Sequence, residues 1–195
     1  IKHRVRETVL AIRQNMRGAA SAGLALLLFM AASGQASAAA DADLVARGAY
    51  LVNAGGCASC HTDTKAKGKP FAGGAAIRTP FGSFYPPNIT SDPQYGIGKW
   101  SDADFIGAMH RGVRPDGAHY FPAFPYTSYT QITEPDLKAM RAYMATVEAV
   151  AQPSKPHDIA FPFSWRFLQT GWKLLFFREG EFRADPAKSA EVNRG

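Results

Sequence analysis

Cys57-Ala58-Ser59-Cys60-His61 is the stretch on which the reading of this chain turns. Its form is C-x-x-C-H. Two thiols three positions apart share one face of a helical turn. There each can add to one vinyl group of a haem and form a thioether. The histidine that follows directly presents its imidazole to the iron as proximal ligand. The pattern reads as a covalent c-type haem site, with Cys57 and Cys60 as tethers and His61 on the iron. These are the only two cysteines in the chain. Other readings compete. A zinc site needs four ligands; the motif supplies three, and His110 and His119 lack the spacing of a zinc-finger pair. A thioredoxin-like redox pair needs a βαβ setting, whereas helices and loops surround this one. A disulfide between Cys57 and Cys60 leaves His61 unexplained.

The 195 residues suffice for one domain with a core, or a smaller domain with tails. Leu24-Ala25-Leu26-Leu27-Leu28-Phe29-Met30 is an apolar run preceded by Arg13 and Arg17 and followed by Ala36-Ser37-Ala38, a small-x-small cleavage site. Residues 1–38 therefore read as a secretory signal peptide, with Met16 a candidate true start. An uncleaved anchor is the competing reading. Cleavage near Ala38 lowers the formal net charge from +6 to about +2. The basicity belongs largely to the leader. No basic stripe interleaved with aromatics appears, so nucleic acid is not an expected partner. Export to the periplasm agrees with the motif, because bacterial c-type haem is attached outside the cytoplasm.

Residues 41–53 predict a first helix, with Leu44, Val45, Ala49 and Val52 at helical spacing and Tyr50 and Leu51 widening the apolar side. Gly55-Gly56 ends it and turns the chain into the motif. Residues 63–95 lack periodicity and carry Gly73-Gly74, Thr79-Pro80, Pro86-Pro87 and Asp92-Pro93. They predict a long loop that wraps something to stay ordered. Ser101-x-x-Asp104 is a capping box opening a helix that carries Phe105, Ile106 and Met109 and stops at Gly112. Thr133-x-x-Asp136 is a second box, opening a helix with Leu137, Met140, Met144 and Val147 that ends near Val150. Methionines at this spacing are more often core than ligand. Residues 161–177 hold Phe, Trp or Leu at ten positions, with only Arg166 and Lys173 charged. That stretch predicts packing over the domain or against a partner subunit.

The order of helix, C-x-x-C-H, wrapping loop, helix, loop and C-terminal helix resembles a class I cytochrome c. Arg47-Gly48-Ala49-Tyr50-Leu51-Val52, Phe71-Ala72-Gly73-Gly74, Thr79-Pro80-Phe81-Gly82, Asn88-Ile89-Thr90, Gly96-Ile97-Gly98-Lys99-Trp100-Ser101 and Pro122-Ala123-Phe124-Pro125-Tyr126-Thr127-Ser128-Tyr129 narrow the likeness. They resemble the haem domains of multihaem cytochrome subunits of periplasmic alcohol, aldehyde and molybdenum-hydroxylase dehydrogenases. The resemblance covers about residues 42–195. It implies an all-α class I cytochrome c fold: three to five helices wrapped around one covalently bound haem c, with long loops. With the leader read above, the chain divides into a signal peptide (1–38), a haem domain (41–152) and an aromatic-rich extension or linker (153–195). Ala190-Glu191-Val192-Asn193-Arg194-Gly195 echoes Ala42 to Gly48, as at the start of a further haem domain.

The resemblance implies a periplasmic electron carrier rather than an enzyme. It would pass single electrons from a dehydrogenase subunit, or to further haem domains, and peripheral membrane association is compatible with it. Many family members hold the distal methionine ligand where this chain has Phe124. Met109 is then the first candidate for the sixth iron ligand, ahead of Met144, Met140 and His119. The alternative is an open distal site serving a haem enzyme or ligand sensor, with His119 as its polar residue. A third reading makes the chain an assembly module with a structural haem. His110 beside Arg111 reads as an exposed helix-end histidine rather than a catalytic pair.

Overall fold

Helix α1 occupies residues 41–54 in a computed structural model that describes residues 41–194. The expected signal peptide, with Met16, lies outside the described residues. Val45, Gly48 and Val52 form the inner side of α1, while Tyr50 is 70% exposed rather than part of it. Gly48 is buried where α1 crosses α5 (Glu134–Thr146). A methyl group there would collide with the Ala139 carbonyl and lie 2.9 Å from Tyr143 Cβ, so the crossing admits only glycine. Arg47 Nε donates to Asp136 Oδ1 at 2.6 Å across the same crossing.

Gly56, at φ 66°, takes the left-handed turn that leads into α2 (Cys57–His61). Helix α3 (Asp102–Arg111) opens on the complete capping box. Ser101 Oγ accepts from the Asp104 amide, Asp104 Oδ2 accepts from the Ser101 amide, and a left-handed Gly112 closes the helix. Tyr126–Tyr129 forms a short α4 inside what reads as loop. The box expected at α5 is half-made. Thr133 Oγ1 accepts from the Asp136 amide at 3.4 Å, but the Asp136 carboxylate is turned to Arg47. Helix α5 stops at Thr146, short of Val150. Val52, Phe71, Phe105, Met109, Leu137, Met140 and Met144 make one core between these helices.

The long loop contains structure that its composition hides. Strands β1 (Ile77–Thr79) and β2 (Gly82–Phe84) pair antiparallel, and β3 (Asp158–Ile159) adds to β2. Strands of two or three residues are too short to leave an alternation signal. The rest of the loop is held from beneath by buried Asn88. Its Nδ2 donates to Val150 O and Gln152 O, and its Oδ1 accepts from Thr90. Five helices lie within residues 41–152, so the expected helical, loop-wrapped architecture is present, with this small sheet added.

The extension forms α6 (Leu168–Phe176) and α7 (Ala190–Arg194). Its polarity is inverted. Phe161, Phe167, Leu174, Leu175 and Phe176 are 63–86% exposed, while Arg166 and Lys173 are half-buried against the body of the domain. Among the described residues no helix is long and apolar enough to cross a membrane.

Candidate haem site

The helices and the wrapping loop enclose a cavity of about 580 Å³, within the range of cofactor sites. Helix α2 contributes Cys57, Cys60 and His61 to its wall; α3 gives Phe105 and Met109, and α5 gives Met140 and Met144. Tyr120, Phe121 and Phe124 come from the segment between α3 and α4. The lining is mainly aromatic and aliphatic, as a flat apolar macrocycle requires.

His61 Nδ1 donates to Pro87 O at 2.7 Å. The proton is therefore on Nδ1, and Nε2 is left with a bare lone pair. Burial also pushes the imidazole below its ordinary pKa, which keeps it neutral. A neutral imidazole with a fixed tautomer is what an axial ligand needs. Cys57 is half-buried, and burial raises its thiol; Cys60 is exposed. Neither is in a disulfide. Among the described residues no three or more His, Cys, Asp or Glu side chains converge to hold a metal ion by themselves. The zinc reading is thus left without its remaining ligands, whereas a porphyrin brings its own four nitrogens. The residues present fit a haem.

Met109 is 5% exposed and lines the cavity, but so do Met140 and Met144, at 2% and 3%. Three thioethers reach the site, and burial alone does not rank them. Phe124 also lines it, with its ring 5.1 Å from Tyr120 and 5.6 Å from Tyr129. His119 is not part of the wall: its Nδ1 accepts from Lys173 Nζ at 2.9 Å. His110 corrects the sequence reading. It is 7% exposed, and its Nε2 donates to Ile132 O at 2.6 Å, so it is a buried structural histidine rather than an exposed helix-end one.

Sequence reasoning missed His157. This residue of the extension lines the cavity, and its Nδ1 accepts from the Tyr85 amide at 3.1 Å. The segment from Tyr85 to Pro87 therefore sets two imidazoles in opposite senses. His61 keeps a lone pair on Nε2, and His157 carries its proton there. No spacing signal marks His157, because strand pairing between β2 and β3 brings it in.

The sequence model of the cytochrome c family matches residues 45–148. A nicotinate dehydrogenase component of Pseudomonas putida is 46% identical over 155 residues, covering 80% of this chain and 13% of that protein. A dihaem cytochrome c-type protein of Cereibacter sphaeroides is 40% identical over 173 residues, covering 82% of this chain and 58% of its own length. The cytochrome c subunit of the quinone-dependent alcohol dehydrogenase of Gluconobacter oxydans is 39% identical over 166 residues, covering 85% of this chain and 34% of the subunit. The chain spans between about an eighth and three-fifths of the length of these relatives.

Proposed function

The chain belongs to the cytochrome c family, and from that premise we propose that it is an electron-transfer domain built on one covalently bound haem c. One observation carries the reading: Cys57, Cys60 and His61 share the wall of an apolar cavity, and Pro87 O fixes the His61 tautomer with Nε2 free. The haem supplies the one-electron iron couple. The protein's part is to tether it through two thioethers, ligate it through His61 and exclude water with aromatic side chains. The reading calls for no general acid, base or nucleophile, so the domain is a carrier rather than a catalyst.

Relatives named as cytochrome subunits of alcohol, fructose and gluconate dehydrogenases support a dehydrogenase as electron donor. The exposed apolar side of the extension supports life as a subunit, against that dehydrogenase, a further haem domain or a membrane surface. Residues 1–38 act as the export signal that delivers the chain to the periplasm, residues 41–152 form the haem domain, and the extension leads on from it. Met109, on the cavity wall, would supply the sixth ligand to the haem iron. The open-site enzyme or sensor gains no support from the relatives, and His119 is occupied by Lys173.

Expression in a host competent for cytochrome assembly tests the reading. The denatured protein should retain one haem per chain, and Cys57→Ser with Cys60→Ser should release it. A colourless wild type would refute the proposal.

A further inference from the structure

The inverted polarity of the extension has a physical counterpart on the domain. Lys173 Nζ donates to Arg111 O at 2.6 Å, Gly112 O at 2.8 Å and His119 Nδ1 at 2.9 Å. An ammonium has three N–H donors, and here each has its own acceptor. The first two are carbonyls at the C-terminal end of α3, where a cation is favoured. Arg166 Nη1 donates to His119 O at 2.8 Å, and its guanidinium lies 4.6 Å from the centre of the Phe121 ring. Further along, the Phe177 ring stands edge-on to Tyr126 at 5.2 Å. The Gly180 amide donates to Thr130 Oγ1, and Glu181 Oε1 accepts from the Glu134 amide.

From Lys173 onward these contacts advance along the chain, from residues 111–119 through Tyr126 and Thr130 to Glu134, while Arg166, upstream of them, reaches His119 and Phe121. The segment they follow includes Tyr120, Phe121 and Phe124 of the cavity wall. The backbone bonds of that segment are local turns: the Val113–His119 bridge, Arg114 N to Ala118 O, Tyr120 N to Gly112 O and Phe124 N to Phe121 O. Its base, Gly112 O and His119, is where Lys173 and Arg166 attach.

We propose that residues 166–182 are a strap across the cavity wall, with Lys173 and Arg166 as positioning residues that hold Tyr120, Phe121 and Phe124 closed over the bound haem. The proposal rests on the haem reading above. It accounts for charged side chains facing inward on an otherwise apolar segment: they donate to the carbonyls of Arg111, Gly112 and His119.

The test uses the full holoprotein. Lys173→Met and Arg166→Met keep side-chain length and remove the hydrogen bonds; Leu174→Ala, at a residue 86% exposed on the same helix, is the control. The probes are imidazole binding to the ferric haem, the midpoint potential, and amide hydrogen exchange across residues 112–126 and 134–146. Each strap variant should bind imidazole about tenfold more readily, the change expected from losing a charge-assisted hydrogen bond. Each should also show a lower potential as water reaches the haem and faster exchange in 112–126 but not in 134–146. The control should match wild type. Covalent haem with wild-type imidazole binding, potential and exchange in both strap variants overturns the strap alone. Absence of covalent haem from the wild type overturns the haem reading beneath it.

Discussion

Replacing Gly48 with alanine tests the helix crossing beneath the site. Added Cβ atoms in helices ordinarily help: alanine is favoured over glycine by about 1 kcal/mol at an interior position. At Gly48 the new methyl group meets the Ala139 carbonyl and lies 2.9 Å from Tyr143 Cβ. The first obstacle is backbone, so no rotamer change relieves it. The helices must part, and overpacking of this kind costs about 1–3 kcal/mol. Separation also weakens Arg47–Asp136, a pair only partly shielded from solvent and therefore a minor contributor. The net expectation is a loss of about 1–2 kcal/mol, or a thermal midpoint lowered by roughly 2–8 °C in a domain of this size. Gly171 is the matched comparison, since it lies in α6 with nothing within 4 Å of an added Cβ. Gly171→Ala should be neutral or stabilising by up to about 1 kcal/mol. Circular dichroism melts of the two holoproteins give the sign. If Gly48→Ala matched or exceeded the stability of Gly171→Ala, the close crossing of α1 and α5 would be wrong.

Met109→Leu should abolish the thioether-to-iron charge-transfer band and lower the midpoint potential, because a thioether ligand raises it; Met140→Leu and Met144→Leu should leave the band intact. The opposite pattern would move the sixth ligand to α5. Arg47→Ala should lower the urea unfolding midpoint slightly at low ionic strength, and the difference should shrink as salt screens the pair. Burial lowers the pKa of Lys173 to about 8 from an ordinary 10.5. Between those values the unfolded chain binds more protons than the folded one, so stability should rise as pH climbs through that window. Lys173→Met should flatten the rise, and a wild-type profile that falls over the same range would contradict the assignment. His157→Phe keeps an aromatic ring between Phe84 and Phe121 but removes the acceptor for the Tyr85 amide. Hydrogen exchange at Tyr85 should then speed up while covalent haem is retained.

The pentapeptide at 57–61 pointed to a covalent haem by itself, since thiol spacing and an adjoining imidazole are read from the chain without a fold. The helix ends followed from local chemistry too: Ser101 with Asp104 and the left-handed Gly112 are settled within one turn of backbone. The second capping box did not complete, because Asp136 found Arg47 from a helix distant in sequence. The same limit hid the rest. His61 gains a defined tautomer, with Nε2 free, only when Pro87 supplies its carbonyl, and His157 reaches the cavity only through the pairing of β2 with β3. The histidines at 110 and 119 look alike on paper, yet one is buried against Ile132 O and the other is bound by Lys173. The direction in which Arg166 and Lys173 face was decided by acceptors on the folded domain: the carbonyls of Arg111, Gly112 and His119 and the His119 ring. A one-dimensional pattern of apolar residues assigns charges to the outside, and only a folded partner surface can reverse that assignment.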